Sequence, residues 1–118
     1  MNTNFPSDSV VSLEASIGPP WQLRLYIVGQ APKSLAANIN LRAICELYLP
    51  QQYRIEVIDL LNTPEAAELD HIVAVPTTLK LNPLPLARVI GDLRDFEKAR
   101  LGLGIALIES TSDYDITQ

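Results

Sequence analysis

The spacing of hydrophobic positions changes several times along the first half of the chain, and each change marks an element. Residues 23–28 form a short apolar run that ends at Gly29, which predicts a mostly buried strand. Residues 33–49 follow Pro32, carry apolar side chains at helical spacing and stop at Pro50, which predicts a helix. Residues 54–61 alternate and end apolar, so we expect a second strand, parallel to the first.

The predicted first helix has one apolar stripe and one candidate cap. Ser34 is the candidate for the N-terminal cap because its hydroxyl can accept from a free backbone N–H. We expect the buried stripe to contain Leu35, Ile39, Ala43, Ile44, Leu47 and Tyr48.

Prolines and turn residues divide the second half of the chain. Residues 64–71 predict a short helix that begins at a proline followed by an acid. Residues 77–81 and 86–90 predict two strands joined by the turn 82–85, and so short a link requires an antiparallel hairpin. Residues 94–109 predict a last helix whose buried stripe is Phe96, Ala99, Leu103 and Leu107.

The resulting order, β-α-β-α-β-β-α, is that of the thioredoxin-like α/β fold. Thioredoxin-like proteins carry a proline just before the third strand, and Pro76 stands at that position. The cis form of an X–Pro bond costs only about 1 kcal/mol, so the sequence leaves the isomer at Pro76 open.

Length and charge narrow the class of protein. The 118 residues fit one domain, which we place at residues 21–109, after a flexible extension (1–20) and before an acidic tail (110–118). A net charge of −5 disfavours nucleic-acid binding. Neither an export signal nor an apolar run of membrane-spanning length is visible, so we expect a cytoplasmic protein without a membrane partner.

The candidate chemical groups do not form a catalytic set. A thioredoxin enzyme needs two thiols at the start of the first helix, one of them with a lowered pKa, and residues 30–34 contain none. Cys45 is the single cysteine and lies inside the predicted helix, so we interpret it as buried and structural. His71 is the single histidine and lacks the other residues of a metal site. The sequence therefore predicts no catalytic residue, metal or cofactor.

Several segments together resemble the KaiB family of circadian clock proteins. They are LRLYIVG at 23–29, VIDLL at 57–61, AVPT at 74–77 and VIGDL at 89–93, followed by FEK at 96–98 and LGL at 101–103. The resemblance covers about residues 21–108, and its specificity lies in the order and spacing of the segments.

The resemblance implies a regulator that is not an enzyme. KaiB-like proteins bind the N-terminal ring of the hexameric ATPase KaiC and modulate its phosphorylation cycle and clock output. They also capture KaiA and compete with the sensor domain of the kinase SasA. The family switches between an oligomer, usually a tetramer, and a thioredoxin-like monomer that binds KaiC. This implies a homo-oligomer, tetramer or dimer, in equilibrium with monomer, and a ground-state fold that differs in the C-terminal half.

Three residues are candidates for the fold switch. Gly91 adopts a positive φ at little cost, and Asp92 can cap a following helix. Pro76 and the prolines after it limit how far any element in this half can run.

Three basic residues are candidates for partner contacts: Lys80, Arg88 and Arg24. The sequence also departs from the family, because Ala37, His71 and Ala87 stand where clock proteins typically have Arg or Lys. These departures imply a divergent paralogue that serves a different KaiC-like partner.

Two alternatives stay open at this point. One is a sensor domain related to the SasA N-terminus, which a fused kinase would support. The other is an enzyme of the thioredoxin superfamily, which turnover of a dithiol or glutathione substrate would support.

Overall fold

The computed structural model of the protein describes residues 18–107. Within this range the element order is the one predicted. The strands are β1 (Trp21–Ile27), β2 (Tyr53–Asp59), β3 (Thr77–Asn82) and β4 (Ala87–Ile90), and the helices are α1 (Pro32–Tyr48), α2 (Glu65–Leu69) and α3 (Phe96–Leu103). The predicted acidic tail, the last two residues of the predicted final helix and most of the predicted N-terminal extension lie outside the described residues.

The four strands form one mixed sheet in the order β2-β1-β3-β4. Strand β1 pairs parallel with β2 and antiparallel with β3, and β3 pairs antiparallel with β4 as the predicted hairpin requires. Strands β2 and β4 are therefore the two edges of the sheet.

The main core lies on one face of the sheet, beneath α1 and α3. Leu23 and Leu25 of β1 are buried there with Leu41 and Ile44 of α1 and Leu103 of α3. These residues recur every second position along the strand and every three or four positions along the helices, as side chains directed to one side must.

Helix α1 buries a different stripe from the one predicted. Leu35, Ile39 and Leu47 are exposed, whereas the buried positions are Ser34, Ala37, Leu41, Ile44 and Cys45. Positions four apart advance by 400° around a helix, so the series 35, 39, 43, 47 drifts by about 120° along its length. Successive buried positions from 34 to 44 are three or four residues apart, so their side chains stay on the side of the helix that faces the sheet. Only Ile44 of the predicted stripe is fully buried.

Helix α3 is shorter than predicted. It ends at Leu103 because Gly104 adopts a left-handed conformation with φ of 76°, and the Gly104 N–H donates to the Arg100 and Leu101 carbonyls. A glycine in this conformation is the usual way for a helix to stop. Leu107, which we predicted to lie in the helical stripe, therefore follows the helix.

The predicted caps at two helices are wrong. Helix α1 starts after Ala31 without a side-chain cap, and the Ser34 hydroxyl instead accepts from the Val28 N–H at 3.0 Å. Helix α3 is capped by Asp95, whose carboxylate accepts from the Lys98 N–H at 3.1 Å, and not by Asp92.

Which side of α1 is buried can be tested with two isoleucines on this helix. Ile44 has no exposed surface and Ile39 is 69% exposed. We expect Ile44→Ala to lower the free energy of unfolding by about 2–5 kcal/mol because it leaves a cavity. Ile39→Ala should change it by no more than about 0.5 kcal/mol. Urea unfolding measures both, and similar losses would contradict the burial described here.

Candidate partner-binding surface

The face of the sheet turned away from α1 and α3 is only partly covered, and we call it the open face. Because paired residues share a face, the register assigns side chains to it. They are Gln22, Arg24 and Tyr26 of β1, Arg54, Glu56 and Ile58 of β2, Thr77, Leu79 and Asn82 of β3, and Arg88 and Ile90 of β4. The segment directly after helix α2 contacts this face.

A buried tyrosine fastens the end of α2 to the open face. Tyr26 has no exposed surface, and its hydroxyl donates to the Asp70 carboxylate directly after α2. Arg24 lies beside them, with 3.5 Å between Arg24 Nη1 and Asp70 Oδ2, and it also pairs with Glu56 at 2.9 Å. Since α2 itself has no buried residue, these polar contacts and the buried Ile72 hold it in place.

Burial and the contact with Asp70 keep Tyr26 protonated, although Arg24 acts in the opposite direction. Desolvation is the largest cause that raises the pKa of Tyr26, and the hydrogen bond to Asp70 raises it further. The pKa of Arg24 is also raised, chiefly by its hydrogen bond with Tyr26. The phenol therefore remains a donor throughout the physiological pH range.

Arg88 is exposed on the open face and also contacts the segment after α2. Its guanidinium donates to the carbonyl oxygens of His71 at 3.0 Å and Asp70 at 3.2 Å. It forms no ion pair with any residue from 18 to 107. A guanidinium has five N–H donors, so Arg88 retains donors for a partner's carboxylate.

Lys80 lies on the other side of the sheet. It is 3% exposed, and its ammonium is 5.3 Å from the centroid of the Trp21 ring, close to Gly104. This is the geometry of a cation–π contact. Of the three basic candidates, the structure brings Arg24 and Arg88 together around Asp70 and leaves Lys80 apart.

The three candidate switch residues lie together at the open end of the β3–β4 hairpin, with Pro76 before β3 and Gly91 and Asp92 after β4. The Val75–Pro76 peptide bond is cis, and the Pro76 carbonyl accepts from the Gly91 N–H at 2.9 Å. Gly91 has a φ of 119°, as the sequence led us to expect from a glycine there. The Asp92 carboxylate accepts from the Arg94 N–H at 3.2 Å and also pairs with the Arg94 guanidinium. The side-chain amide of Asn40 in α1 donates to the Asp92 carbonyl at 2.8 Å.

The loop after Gly91 contains a strained residue that sequence reasoning missed. Leu93 is buried, yet it has a φ of 64°. The left-handed region costs a side chain such as leucine roughly 1–2 kcal/mol. The packing around Leu93 must hold this conformation, so the loop contains local backbone strain that lowers the stability of the fold.

The single cysteine offers no thiol chemistry. Cys45 is fully buried, and desolvation raises its pKa to about 12, so the reactive thiolate is scarce at neutral pH. Between residues 18 and 107 no group of three or more His, Cys, Asp or Glu side chains is arranged to hold a metal ion. In the same part of the chain, no helix has the length and apolar character needed to cross a bilayer.

Comparisons with known proteins agree with this geometry. The family profile described as "KaiB domain" matches residues 24–105. "Circadian clock protein KaiB3" of Synechocystis sp. is 46% identical over 83 residues, 70% of this chain and 81% of that protein. "Circadian clock oscillator protein KaiB" of Synechococcus elongatus is 45% identical over 83 residues, with the same coverage.

Two solved structures have the same fold at lower sequence identity. The N-terminal domain of SasA from Synechococcus elongatus superposes with a TM-score of 0.60 at 22% identity, covering 72% of this chain and 82% of that domain. Mitochondrial thioredoxin 3 from Saccharomyces cerevisiae gives a TM-score of 0.58 at 14% identity, covering 80% and 87%.

The fold and the site therefore define a thioredoxin-like α/β protein without the thiol chemistry of thioredoxins. Within that class, the chain belongs to the KaiB family. Its curated relatives are named as circadian clock proteins, which places it with clock regulators and not with enzymes.

The attachment of α2 can be tested with two tyrosines. Tyr26→Phe removes the hydroxyl that donates to Asp70, and we expect it to lower the free energy of unfolding by about 1–2 kcal/mol. Tyr53→Phe is the control, because the Tyr53 hydroxyl donates to the exposed Glu46 carboxylate and its loss should cost less than about 0.5 kcal/mol. Denaturant unfolding and amide exchange in α2 measure the effect. Equal losses in the two variants would argue against the attachment.

Proposed function

We propose that this protein is a non-enzymatic KaiB-like regulator that binds a KaiC-type hexameric ATPase and modulates its phosphorylation cycle. The observation that carries the proposal is the family match over residues 24–105, with relatives 45–46% identical over 81% of their own length. The buried Cys45, with its raised pKa, argues against a thioredoxin-type reaction.

The open face is the surface we assign to this partner. Arg88 supplies an exposed guanidinium with free donors, and Ile90 beside it is an exposed apolar side chain. Arg24 adds a second guanidinium, although Glu56 and Asp70 partly neutralise it. Exposed guanidinium groups beside apolar side chains suit an acidic surface on a partner, and such charges mainly set the association rate and the choice of partner. Lys80 would have to leave its place beside Trp21 to take part.

Fold switching and oligomerisation are further parts of the proposal. In the form described here, the buried Leu93 has a positive φ, so this loop is held under local strain. Such a loop suits a chain with two packings of similar free energy. We propose that the thioredoxin-like form binds the ATPase and exchanges in the cytoplasm with a homo-oligomeric form. KaiA-like proteins and SasA-type kinases are the further partners proposed.

A sensor domain like that of SasA is the second candidate, favoured by the TM-score of 0.60 to that domain. Its identity to this chain is 22%, against 45–46% for KaiB proteins, so we rank it second. Loss of ATPase binding together with fusion to a kinase in the source genome would reverse this order.

Binding can be tested with arginine variants on opposite faces of the molecule. We expect Arg88→Ala to weaken binding to a KaiC-type hexamer from the same genome by about fivefold or more, the equivalent of roughly 1 kcal/mol. Arg42→Ala is the matched control, because Arg42 lies on α1 and contacts only the nearby Asn38 side chain among the described hydrogen bonds. Surface plasmon resonance at two salt concentrations measures both. No complex with any KaiC-type protein would refute the function, and equal effects of the two variants would refute the surface.

Fold switching and oligomerisation can be tested separately from binding, on the free protein. We expect native mass spectrometry to detect a dimer or tetramer beside the monomer, and NMR to show two sets of amide signals for residues 76–103. The two states exchange because their free energies differ by only a few kcal/mol. A single monomeric mass and one set of signals at every concentration would contradict the switch and leave the binding proposal standing.

A further inference from the structure

Helix α1 presents an exposed row of apolar side chains on the side away from the sheet. The row consists of Leu35, Ile39, Ala43 and Leu47, which follow one another at intervals of four, and we call it the α1 ridge. Leu35 is 43%, Leu47 62% and Ile39 69% exposed, and Ala43 is exposed as well. Apolar residues scattered singly over a surface are normal, whereas a continuous row of this kind indicates a surface for another molecule.

Two opposite charges lie beside the α1 ridge. Arg42 and Glu46 each follow a ridge residue by three positions, so both are on the same flank of the ridge. Both are exposed, and neither forms an ion pair with any residue from 18 to 107. Arg42 donates to the Asn38 side chain at 2.9 Å, and Glu46 accepts from the Tyr53 hydroxyl at 2.6 Å. Each retains further hydrogen-bonding capacity for a partner.

A two-fold axis close to Ala43 makes the α1 ridge complementary to itself. Rotation about an axis perpendicular to the helix sets a second α1 antiparallel to the first, and the charged flanks stay on the same side. Ile39 of one copy then lies beside Leu47 of the other. The small side chain of Ala43 at the axis lets the two helices approach closely. Rows of residues four apart are the ridges through which helices in globular proteins most often pack.

The same rotation pairs the charges in both directions. Arg42 of each copy stands opposite Glu46 of the other, because these residues are two positions on either side of position 44. Ile39 and Leu47 are four positions on either side of Ala43, so the two centres differ by one residue, about 1.5 Å along the helix. An alternative that matches Ile39 with Ala43 would bring the two Arg42 side chains together, and like charges make it unfavourable. One register therefore satisfies both the apolar and the charged residues.

From these observations we infer that α1 is an interface between two copies of this chain in its thioredoxin-like form. The partner is a second copy because the surface carries its own complement, an apolar ridge that meets itself and one charge of each sign that meets the other. This dimer differs from the proposed switched oligomer, since its formation leaves the fold unchanged. The inference does not depend on the identity of the ATPase partner.

The dimer is weak and leaves the open face accessible. The four ridge residues and two charges of each copy are far fewer than the roughly 20–30 residues of a stable interface. We therefore expect a Kd of about 0.1–1 mM and a monomer at micromolar concentration. Helix α1 and the open face lie on opposite sides of the sheet. The two open faces of the dimer therefore point away from one another, and each can hold a partner.

Amide chemical shifts of the free protein, measured by NMR from about 0.02 to 1 mM, test the interface. Signals of residues 35–47 should move with concentration, while those of residues 76–103 keep their positions. Ile39→Gln removes an apolar side chain of the α1 ridge and should weaken self-association at least about fivefold. Val73→Gln is the matched control, since Val73 is 89% exposed and lies outside α1.

Three results would overturn the interface. One is a set of α1 signals that does not move with concentration. Another is concentration-dependent shifts confined to residues 76–103, which would indicate association through the C-terminal half. The third is an equal loss of association in Ile39→Gln and Val73→Gln, which would separate association from the α1 ridge. All three results leave the proposed binding to the ATPase standing.

Charge variants test the pairing between the two copies. Arg42→Glu and Glu46→Arg each set like charges opposite one another, and each should weaken self-association at least about fivefold. A mixture of the two variants restores opposite charges at both contacts and should associate as the unaltered chain does. Arg54→Glu is the control for net charge, since Arg54 is exposed on the open face, and its mixture with Glu46→Arg should not recover association. Failure of the first mixture to recover association would refute the pairing of Arg42 with Glu46.

Discussion

Strand β1 is central in the sheet and has to be covered on both faces, and much of the fold follows from this constraint. On one face, α1 and α3 cover the apolar side chains of Leu23 and Leu25. On the other face, the fully buried side chain is Tyr26, whose hydroxyl needs a hydrogen-bond partner when it is removed from water. Asp70 provides that partner, which fixes the end of a helix that has no buried residue of its own. Covering β1 therefore takes an apolar layer on one face and a polar contact on the other.

The sequence predicts the order of all seven elements and the approximate bounds of every one except α3, because strand alternation, helical spacing and proline positions are local signals. It does not predict which stripe of α1 is buried. That helix carries apolar residues on more than one side, and the contact with the sheet, not hydrophobicity alone, selects Ala37 and Leu41 over Leu35 and Ile39. The early end of α3 follows from the left-handed Gly104. In the sequence alone this glycine could equally weaken a longer helix.

The candidate binding surface is only partly predictable for a similar reason. Lys80 and Arg88 are both basic residues on neighbouring strands, yet the register places Lys80 against Trp21 and Arg88 on the open face. A shift of one residue in pairing would exchange their faces, and the sequence alone does not contain that register. The contact between Tyr26 and Asp70 joins residues 44 positions apart, so no local pattern could have indicated it.

The hydrogen bond between the Gly91 N–H and the Pro76 carbonyl has a wider consequence. It joins the segment that enters β3 to the loop that leaves β4, and the bond from Asn40 to the Asp92 carbonyl fastens that loop to α1. One hydrogen bond thus joins the two ends of the hairpin, and the other attaches the loop after β4 to α1 in the N-terminal half of the protein. Separating β3 from β4 at this end requires that the bond between Gly91 and Pro76 breaks. Any rearrangement that carries both ends of the hairpin away from α1 and from each other would therefore have to break these two hydrogen bonds in addition to the strand pairing.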